Sequence, residues 1–444
     1  MQTDKTSRRD FIKKSTVATA GLAFSFSAKS YGNILGANDR VNFAVIGLHG
    51  RGKAHIAAIN ALQKEVKIAA ICDVDKNMFG DIYKSFPNTG IEKIKTEQDF
   101  RRVLDNKNID AITVATPDHW HTPMGILAMQ AKKNVYLEKP PCHNPAEGLM
   151  LIESQKKEGK ILQIGNQQRS APTSIQAVKD IRNGIIGDVY FAKCWYSNTR
   201  GSIGRGKVTP VPENLDWDLW QGPAPRMSFK DNYVHYNWHW FWNWGTGEAN
   251  NNGLHELDIC RWALGVDIPN RTTSTGGRYH FNDDWEFYDT QEVTFEYDNN
   301  KMITWEGKSC NGFPYFDRGR GSTIHGTKGT ILIDRNSYIL YDLQGKEINR
   351  IDEEKKSETT NTVGMGNLDI LHMNNFVNAI QNGEKLNSPI ETAYVSNLLC
   401  HLGNIAQKTN SAIFMDSEKG IIKENAEAQK LWGRSYEQGW EPKI

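Results

Sequence analysis

VNFAVIGLHGRGKAHIAAINAL, residues 41–62, is the stretch whose reading decides the fold. Val41 to Ile46 form a short apolar run, Gly47, Gly50 and Gly52 follow, and apolar positions then recur at helical spacing as far as Leu62. Such a pattern predicts a strand that passes through a glycine-rich turn directly into a helix. In IGLHGRG, at 46–52, the glycines permit a tight turn, and backbone N–H groups at the positive end of the following helix can seat a pyrophosphate. His49 stands where the second glycine of GxGxxG belongs, so the spacing alone is a weak signal. The strand before it and the helix after it are what strengthen it.

Outward from this turn the same alternation continues. VKIAAICD, AITVAT, NVYLEK and ILQIGN read as further apolar strands, with helices expected over 76–86, 99–104, 122–131 and 146–158. Short apolar strands alternating with helices imply a doubly wound parallel sheet with its ligand edge at the strands' carboxyl ends. Asp73 closes the second strand, 26 residues beyond Gly47, where a carboxylate can accept bonds from ribose hydroxyls. That position favours NAD over NADP, because a 2′-phosphate would meet a negative charge; a helix N-cap is the alternative role.

After Asn166 the pattern changes. A helix over 174–183 is followed by DVYFAKCWYS, RTTSTGGRYHF, TQEVTFEYD, KMITWEGK and GTILIDR, which alternate in period two as antiparallel strands do. ETAYVSNLLCHLGNIAQ reads as a late amphipathic helix. An α/β chain is therefore expected, with a doubly wound domain over 40–165 and a second α+β domain over 166–444 built on a large, mainly antiparallel sheet. The Trp-rich run from LDWDLWQGPAP to NWHWFWNWGTG is too long for a plain connection and is expected to be an ordered insertion near the site. Trp238, Trp240, Trp242 and Trp244 suit either a strand burying one face or stacking on sugar rings, and packing is favoured.

A net charge of +1 with 24% charged residues leaves no basic stripe for nucleic acid and points to a small-molecule partner. The six cysteines, Cys72, Cys142, Cys194, Cys260, Cys310 and Cys400, show no CxxC or paired spacing, so neither zinc nor a disulfide framework is expected, and no metal site.

TPDHWH at 116–121, EKP at 138–140 and GLHELD at 253–258, taken with the glycine-rich turn, make the chain resemble the Gfo/Idh/MocA oxidoreductases over roughly residues 40–440. The resemblance implies bound NAD, a carbohydrate substrate, and Lys139 beside both the nicotinamide and a sugar hydroxyl, with Glu138 and Pro140 shaping the turn. A positive group there stabilises an alkoxide-like transition state. It also implies cofactor contacts from Gly47, His49, Gly50, Arg51, Gly52, Asp73, Thr116, Pro117, His119, His121, Glu138, Lys139 and Gln167. Substrate contacts fall to Arg169, His239, Asn251 and His255, with His255 the general acid/base. Members of the family commonly carry an aspartate four residues before this histidine; here Asn251 stands in its place, able to hydrogen-bond substrate but not to take a proton. Asp258 is expected to orient or cap.

Three activities are compatible with this resemblance. The first is a dehydrogenase moving hydride between a sugar or glycoside carbon and tightly held NAD. The second is an NAD-dependent glycosidase working by oxidation, elimination, hydration and re-reduction, although those relatives tend to lack the EKP lysine. A non-catalytic sugar-binding protein is third, and intact Lys139 and His255 argue against it. Pairing of copies through the second domain's sheet is expected as well.

Residues 1–39 read as a targeting segment and linker. In TSRRDFIKKSTVATAGLAFSFSA, Ser7, Arg8, Arg9, Phe11 and Lys13 fall where a twin-arginine (Tat) leader has them, so export in the folded state through that machinery, to the periplasm, is expected. Ala28 and Ser30 both suit cleavage. The run is too short and too rich in Ser, Thr and Gly for a permanent membrane helix.

Overall fold

The computed structural model describes residues 40–353 and 367–444, so the leader expected over 1–39 lies outside the described residues. Five of the six positions of β1 (Val41–Ile46) are buried, as a strand covered on both faces requires. It sits inside a six-stranded parallel sheet with β2 (Val66–Cys72), β3 (Lys95–Glu97), β4 (Ala111–Val114), β5 (Asn134–Leu137) and β6 (Leu162–Ile164), in the order β3-β2-β1-β4-β5-β6. The connecting helices are α1 (Gly50–Ala61), α2 (Asn77–Ser85), α3 (Phe100–Leu104), α4 (Asp118–Gln130) and α5 (Pro145–Glu158). Local chemistry sets the ends of α5: Asn144 accepts a bond from the Glu147 N–H at 3.2 Å, Pro145 opens the first turn, and Gly159 closes the helix at φ +62°.

Beyond Asn166 the chain builds a ten-stranded sheet. Its strands are β7 (Val189–Ser197), β8 (Arg271–Gly277), β9 (Thr290–Tyr297), β10 (Lys301–Lys308), β11 (Arg320–Gly326), β12 (Gly329–Ile333), β13 (Ser337–Tyr341), β14 (Glu347–Asp352), β15 (Ile413–Asp416) and β16 (Ile421–Ile422). They lie in the order β14-β13-β12-β11-β7-β10-β9-β8-β15-β16. Every pairing is antiparallel except β7 with β10, which run parallel with Cys194 opposite Trp305. The helices of this region are α6 (Pro172–Arg182), α7 (Trp217–Gln221), α8 (Leu254–Leu264), α9 (Asn367–Asn382), α10 (Ile390–Thr409) and α11 (Ala426–Lys430). Leu254 and Leu257 of α8 share a core with Ala192, Cys194, Ile303 and Ile324 of the sheet.

Two of these helices cross back. Met373, Phe376 and Val377 of α9 pack with Phe43, Ile56, Ile59 and Tyr136, while Ile390 and Ala393 of α10 join Leu137 and Ile164. The sequence division at 165 and 166 is thus bridged in space by C-terminal helices that complete the first sheet's cover.

The tryptophan run corrects one expectation. Asn237–Trp240 is a 3₁₀ turn rather than a strand, and its rings go in several directions. Trp238 and Trp244 join Trp217, Trp220 and Tyr233 in one buried cluster, Trp240 stacks on Trp285 at 3.9 Å, and Trp242 lies 3.8 Å from Phe287. Among the described residues no helix is long and apolar enough to cross a membrane. All six cysteines are unpaired, and among the described residues no cluster of His, Cys, Asp and Glu is placed to hold a metal.

Candidate active site

A cleft opens along the carboxyl ends of β1, β2, β4 and β5, roofed by the tryptophan insertion. Gly47 leaves β1 at φ +82°, where a Cβ would stand 2.5 Å from the Ala115 carbonyl oxygen. A Cβ on Gly52 would stand 1.9 Å from the Gly47 carbonyl oxygen, so both glycines are required by close backbone approach. Helix α1 begins at Gly50 with no side-chain cap and no acidic residue in its first turn, and Gly47 to Arg51 line the cleft. The positive end of the helix is left to an outside anion, which is what a dinucleotide's pyrophosphate supplies. At the far side Asp73 accepts the N–H groups of Leu48 (2.8 Å) and Asp75 (2.9 Å), and burial pushes its carboxyl up to about 6. These residues fit NAD: an open helix end for the phosphates and a carboxylate for a ribose.

Glu138, at the end of β5, is a hub. It accepts Arg51 Nη2 at 2.7 Å, His55 Nε2 at 3.0 Å and Gln167 Nε2 at 3.1 Å, and the arginine holds its carboxyl far below the usual range despite burial. Arg51 also bonds Asp369 of α9 at 2.7 Å. The hub fixes the backbone that delivers the next residue, Lys139.

The Lys139 ammonium is buried and donates to the Asn251 carbonyl oxygen at 2.6 Å and to its Oδ1 at 3.3 Å. Asn251 lies in a widened π-helical turn, Ala249–Gly253, that runs into α8, a distortion common where a helix serves a site. Burial lowers the Lys139 ammonium, opposed by Glu138 and Asp118, while burial raises the Asp118 carboxyl, opposed by its Thr246 hydroxyl partner and by Lys139. Both side chains line the cleft and act on each other's charge, and an amine pushed down beside a carboxyl pushed up forms a pair suited to moving a proton near neutrality.

His255 follows Asn251 by one helical turn and is buried, with its Nε2 unbonded among the described residues. Burial, then the charges of Arg335, Lys139, Arg320 and Arg51, hold its imidazole well below the usual histidine range. That direction favours the neutral imidazole, which can donate or accept a hydrogen bond.

Other sequence-derived candidates divide clearly. Thr116, Pro117, His121 and His239 line the cleft beside Asp73 and Lys139. His121 is clamped between the carbonyl oxygens of Pro140 (2.6 Å) and Thr116 (2.9 Å). His119 turns to the Trp220 carbonyl oxygen at 3.0 Å and braces the insertion. Gln167 serves Glu138, and Arg169 forms a doubly bonded buried ion pair with Asp258 at 2.7 and 2.8 Å. His255 is close to the site electrostatically but does not line the cleft.

Sequence reasoning missed Asp118, although it lies inside the TPDHWH motif. It also missed Trp220, His235 and Tyr236 of the cleft wall, where Trp238, weighed from sequence for packing or sugar stacking, also lies; His235 stacks on His49 (centroids 5.4 Å apart) and bonds Asp75 at 2.8 Å, and no local pattern marks it.

The NAD-binding Rossmann-fold model of the Gfo/Idh/MocA oxidoreductase family matches residues 41–166, and the family's C-terminal alpha/beta domain matches 195–442. The chain belongs to the Gfo/Idh/MocA oxidoreductase family. Among similar proteins, an alpha-N-acetylgalactosaminidase of Tannerella forsythia is 27% identical over 211 residues, covering 43% of this chain and 45% of that protein. An inositol 2-dehydrogenase 2 of Saccharopolyspora erythraea is 22% identical over 280 residues, covering 63% of this chain and 70% of that one. The match thus spans less than half the length of the glycosidase relative. Among solved structures, levoglucosan dehydrogenase with NADH and levoglucosan superposes with a TM-score of 0.65 at 17% identity, covering 85% of this chain and all (100%) of the other. The WlbA dehydrogenase of Bordetella pertussis, with NADH and UDP-GlcNAcA, gives 0.63 at 17%, covering 85% and 99%. These likenesses show that this Gfo/Idh/MocA chain shares their fold.

Proposed function

We propose that this protein is an NAD-dependent dehydrogenase that moves hydride between a carbon of a sugar or glycoside and a tightly held nicotinamide. The observation that carries the reading is Lys139: a buried ammonium lining the same cleft as the glycine-rich turn, Asp73 and Asp118, and held by Asn251. When bound, the nicotinamide would take or give the hydride. Lys139 would hold the substrate hydroxyl and receive its proton on oxidation, and Asp118 would adjust the amine's charge. Asn251, which lines the cleft, keeps the amine in place and would hydrogen-bond the substrate, while His255, one helical turn further on, would support that placement from behind the lining. Asp73 would accept the adenosine ribose hydroxyls and so favour NAD over NADP. The insertion, with Tyr236, Trp238 and His239 on its inner wall, would shield the reacting carbon from water.

A second reading, the NAD-dependent glycosidase, is consistent with the named alpha-N-acetylgalactosaminidase relative. Both readings require NAD and differ in product. Native purification followed by denaturation should release nicotinamide cofactor; a glycoside screen should then give ketone without aglycone release. Aglycone release without net NADH would establish the glycosidase, and absence of any bound or stabilising nicotinamide would remove both.

The reading includes export by the twin-arginine route with cofactor already in place, which fractionation of the producing cell checks. It also includes pairing of copies through the large sheet, where the register partners Phe191 and Met302 stand on the face opposite α8. Light scattering of the purified chain tests that pairing.

A further inference from the structure

The tryptophan insertion is moored on both banks of the cleft. On one bank, past β2, the Lys76 N–H bonds the Asn214 carbonyl oxygen at 3.0 Å and the Asp216 N–H bonds the Val74 carbonyl oxygen at 3.1 Å. On the other, past β4, the Trp220 carbonyl oxygen accepts His119 Nε2 at 3.0 Å and Trp120 Nε1 at 2.9 Å. The Trp244 carbonyl oxygen accepts the His119 N–H there at 3.1 Å. Because β1 lies between β2 and β4 in the sheet, a segment fixed at these two places passes over the carboxyl end of β1, where the glycine-rich turn begins.

Two histidines meet across the opening. His49, inside the turn, and His235, on the insertion, lie with ring centroids 5.4 Å apart and planes within 17° of parallel, and both line the cleft. His235 is set from behind: its Nε2 is bonded to one Asp75 carboxylate oxygen at 2.8 Å, while the other oxygen accepts the Asn214 amide at 2.7 Å. Asp75 in turn gives its N–H to Asp73 Oδ1 at 2.9 Å, the carboxylate assigned to the ribose. One chain of contacts thus runs from Asp73 through Asp75 and His235 to the phosphate-seating turn. The His235 side chain keeps 32% of its surface exposed, so the core does not consume the ring. With Nε2 spent on Asp75, its flat face and Nδ1 are left for a ligand. Nor is the ring needed as an anchor, since backbone bonds already hold the insertion on each bank.

We propose that His49 and His235 form a clasp over the ribose–pyrophosphate stretch of NAD, His235 being a cofactor-binding residue supplied by the insertion, so that a seated dinucleotide leaves only when this contact parts. The proposal rests on the NAD-dependent reading above and adds how release of the cofactor is controlled.

Release of cofactor, not turnover, tests it. The full chain is loaded with NADH and mixed with a large excess of NAD, and loss of energy transfer from the cleft tryptophans Trp120, Trp220 and Trp238 to bound NADH reports dissociation. His235→Ala and His49→Ala should each release NADH about ten-fold faster or more, since changes in affinity are carried mostly by the dissociation rate. The double variant should be no faster than the faster single one, because either loss opens the same contact. Cofactor-free melting temperatures should stay within about 2 °C of the parent, as expected where backbone bonds still moor the insertion. Should His235→Ala fail to fold, His235→Gln, which keeps an amide for Asp75 but lacks the ring, carries the same measurement. Parent-like release from the His235 variant, single effects that multiply in the double variant, or faster release only alongside a lower melting temperature would each overturn the clasp. Unchanged release from variants that still bind NADH sinks the clasp and leaves the NAD-dependent reading standing. A parent chain that binds no NADH sinks both.

Discussion

The Lys139 ammonium, just past the carboxyl end of β5 in the first sheet, lies 2.6 Å from the carbonyl oxygen of Asn251, in the π-helical turn that leads into α8 on the second. The group with most chemistry in the cleft is therefore aimed from one half of the chain by the other.

Removing that amine should abolish turnover and spare cofactor binding. Lys139→Ala is expected to lose about 2.7–4 kcal/mol of transition-state stabilisation, a kcat lower by roughly 10²–10³, as for other single electrostatic groups. NAD affinity measured by fluorescence titration should stay within about three-fold, since the glycine-rich turn and Asp73 are untouched. Activity within a few-fold of the parent would remove Lys139 from the chemical step.

Charge placed beside the amine should move the rate profile in a known direction. Asn251→Asp sets a carboxylate against the ammonium, favours its charged form and shifts the ascending limb of kcat/KM for alcohol oxidation, where the amine loses its proton, to higher pH, by about 1 unit or more. Asp118→Asn removes a negative charge and shifts the same limb lower. His255→Gln should lower kcat without moving the limb, because its imidazole is held neutral across this range. Superimposable profiles for the Asn251 and Asp118 variants would take the proton step away from Lys139.

Asp73 makes NAD binding pH-dependent. Its carboxyl is raised to about 6 by burial, and ribose hydroxyls bond best to the ionised form, so binding should release a proton below that value. Affinity for NAD is expected to tighten several-fold from pH 5 to pH 7. Asp73→Asn should flatten that dependence, and Asp73→Ala should also narrow the preference over NADP. A wild-type affinity independent of pH would show that the carboxylate does not meet the ribose.

Arg169 and Asp258 are buried partners, and removing one strands the other. Arg169→Met is expected to destabilise the fold by about 3–5 kcal/mol, read as a lower denaturant midpoint. The double variant Arg169→Met with Asp258→Leu should recover much of that loss. A single variant as stable as the parent would instead free Arg169 for a ligand role.

How far the sequence could be read follows from what each feature depends on. The first sheet was legible because β1, β2, β4 and β5 are buried runs set off by turn residues, and Asp73 and Glu138 fall at strand ends where their place is fixed by local pattern. Helix α9 was not read, and neither was β11, whose Arg320, Ser322 and His325 dilute its apolar positions. The tryptophan run misled because a period of two in sequence does not bind a loop whose rings pack on partners as distant as Trp285 and Phe287. Asp118 owes its character to long-range burial and to charges brought in by the fold. Residue type alone does not carry that information.

The Arg51 bridge also bears on how such a chain can be recombined. Arg51 leaves α1 beside the phosphate-seating turn and spans Glu138 and Asp369, so its two anions come from opposite ends of the polypeptide. A chimera that joins the first 165 residues to a foreign second half would carry the glycine-rich turn intact, yet lose Asp369 and the α9 side chains that pack on Phe43 and Tyr136. Exchangeable units in this architecture are therefore discontinuous: a graft that keeps a working cleft must bring α9 and α10 with the N-terminal segment, cutting the chain twice.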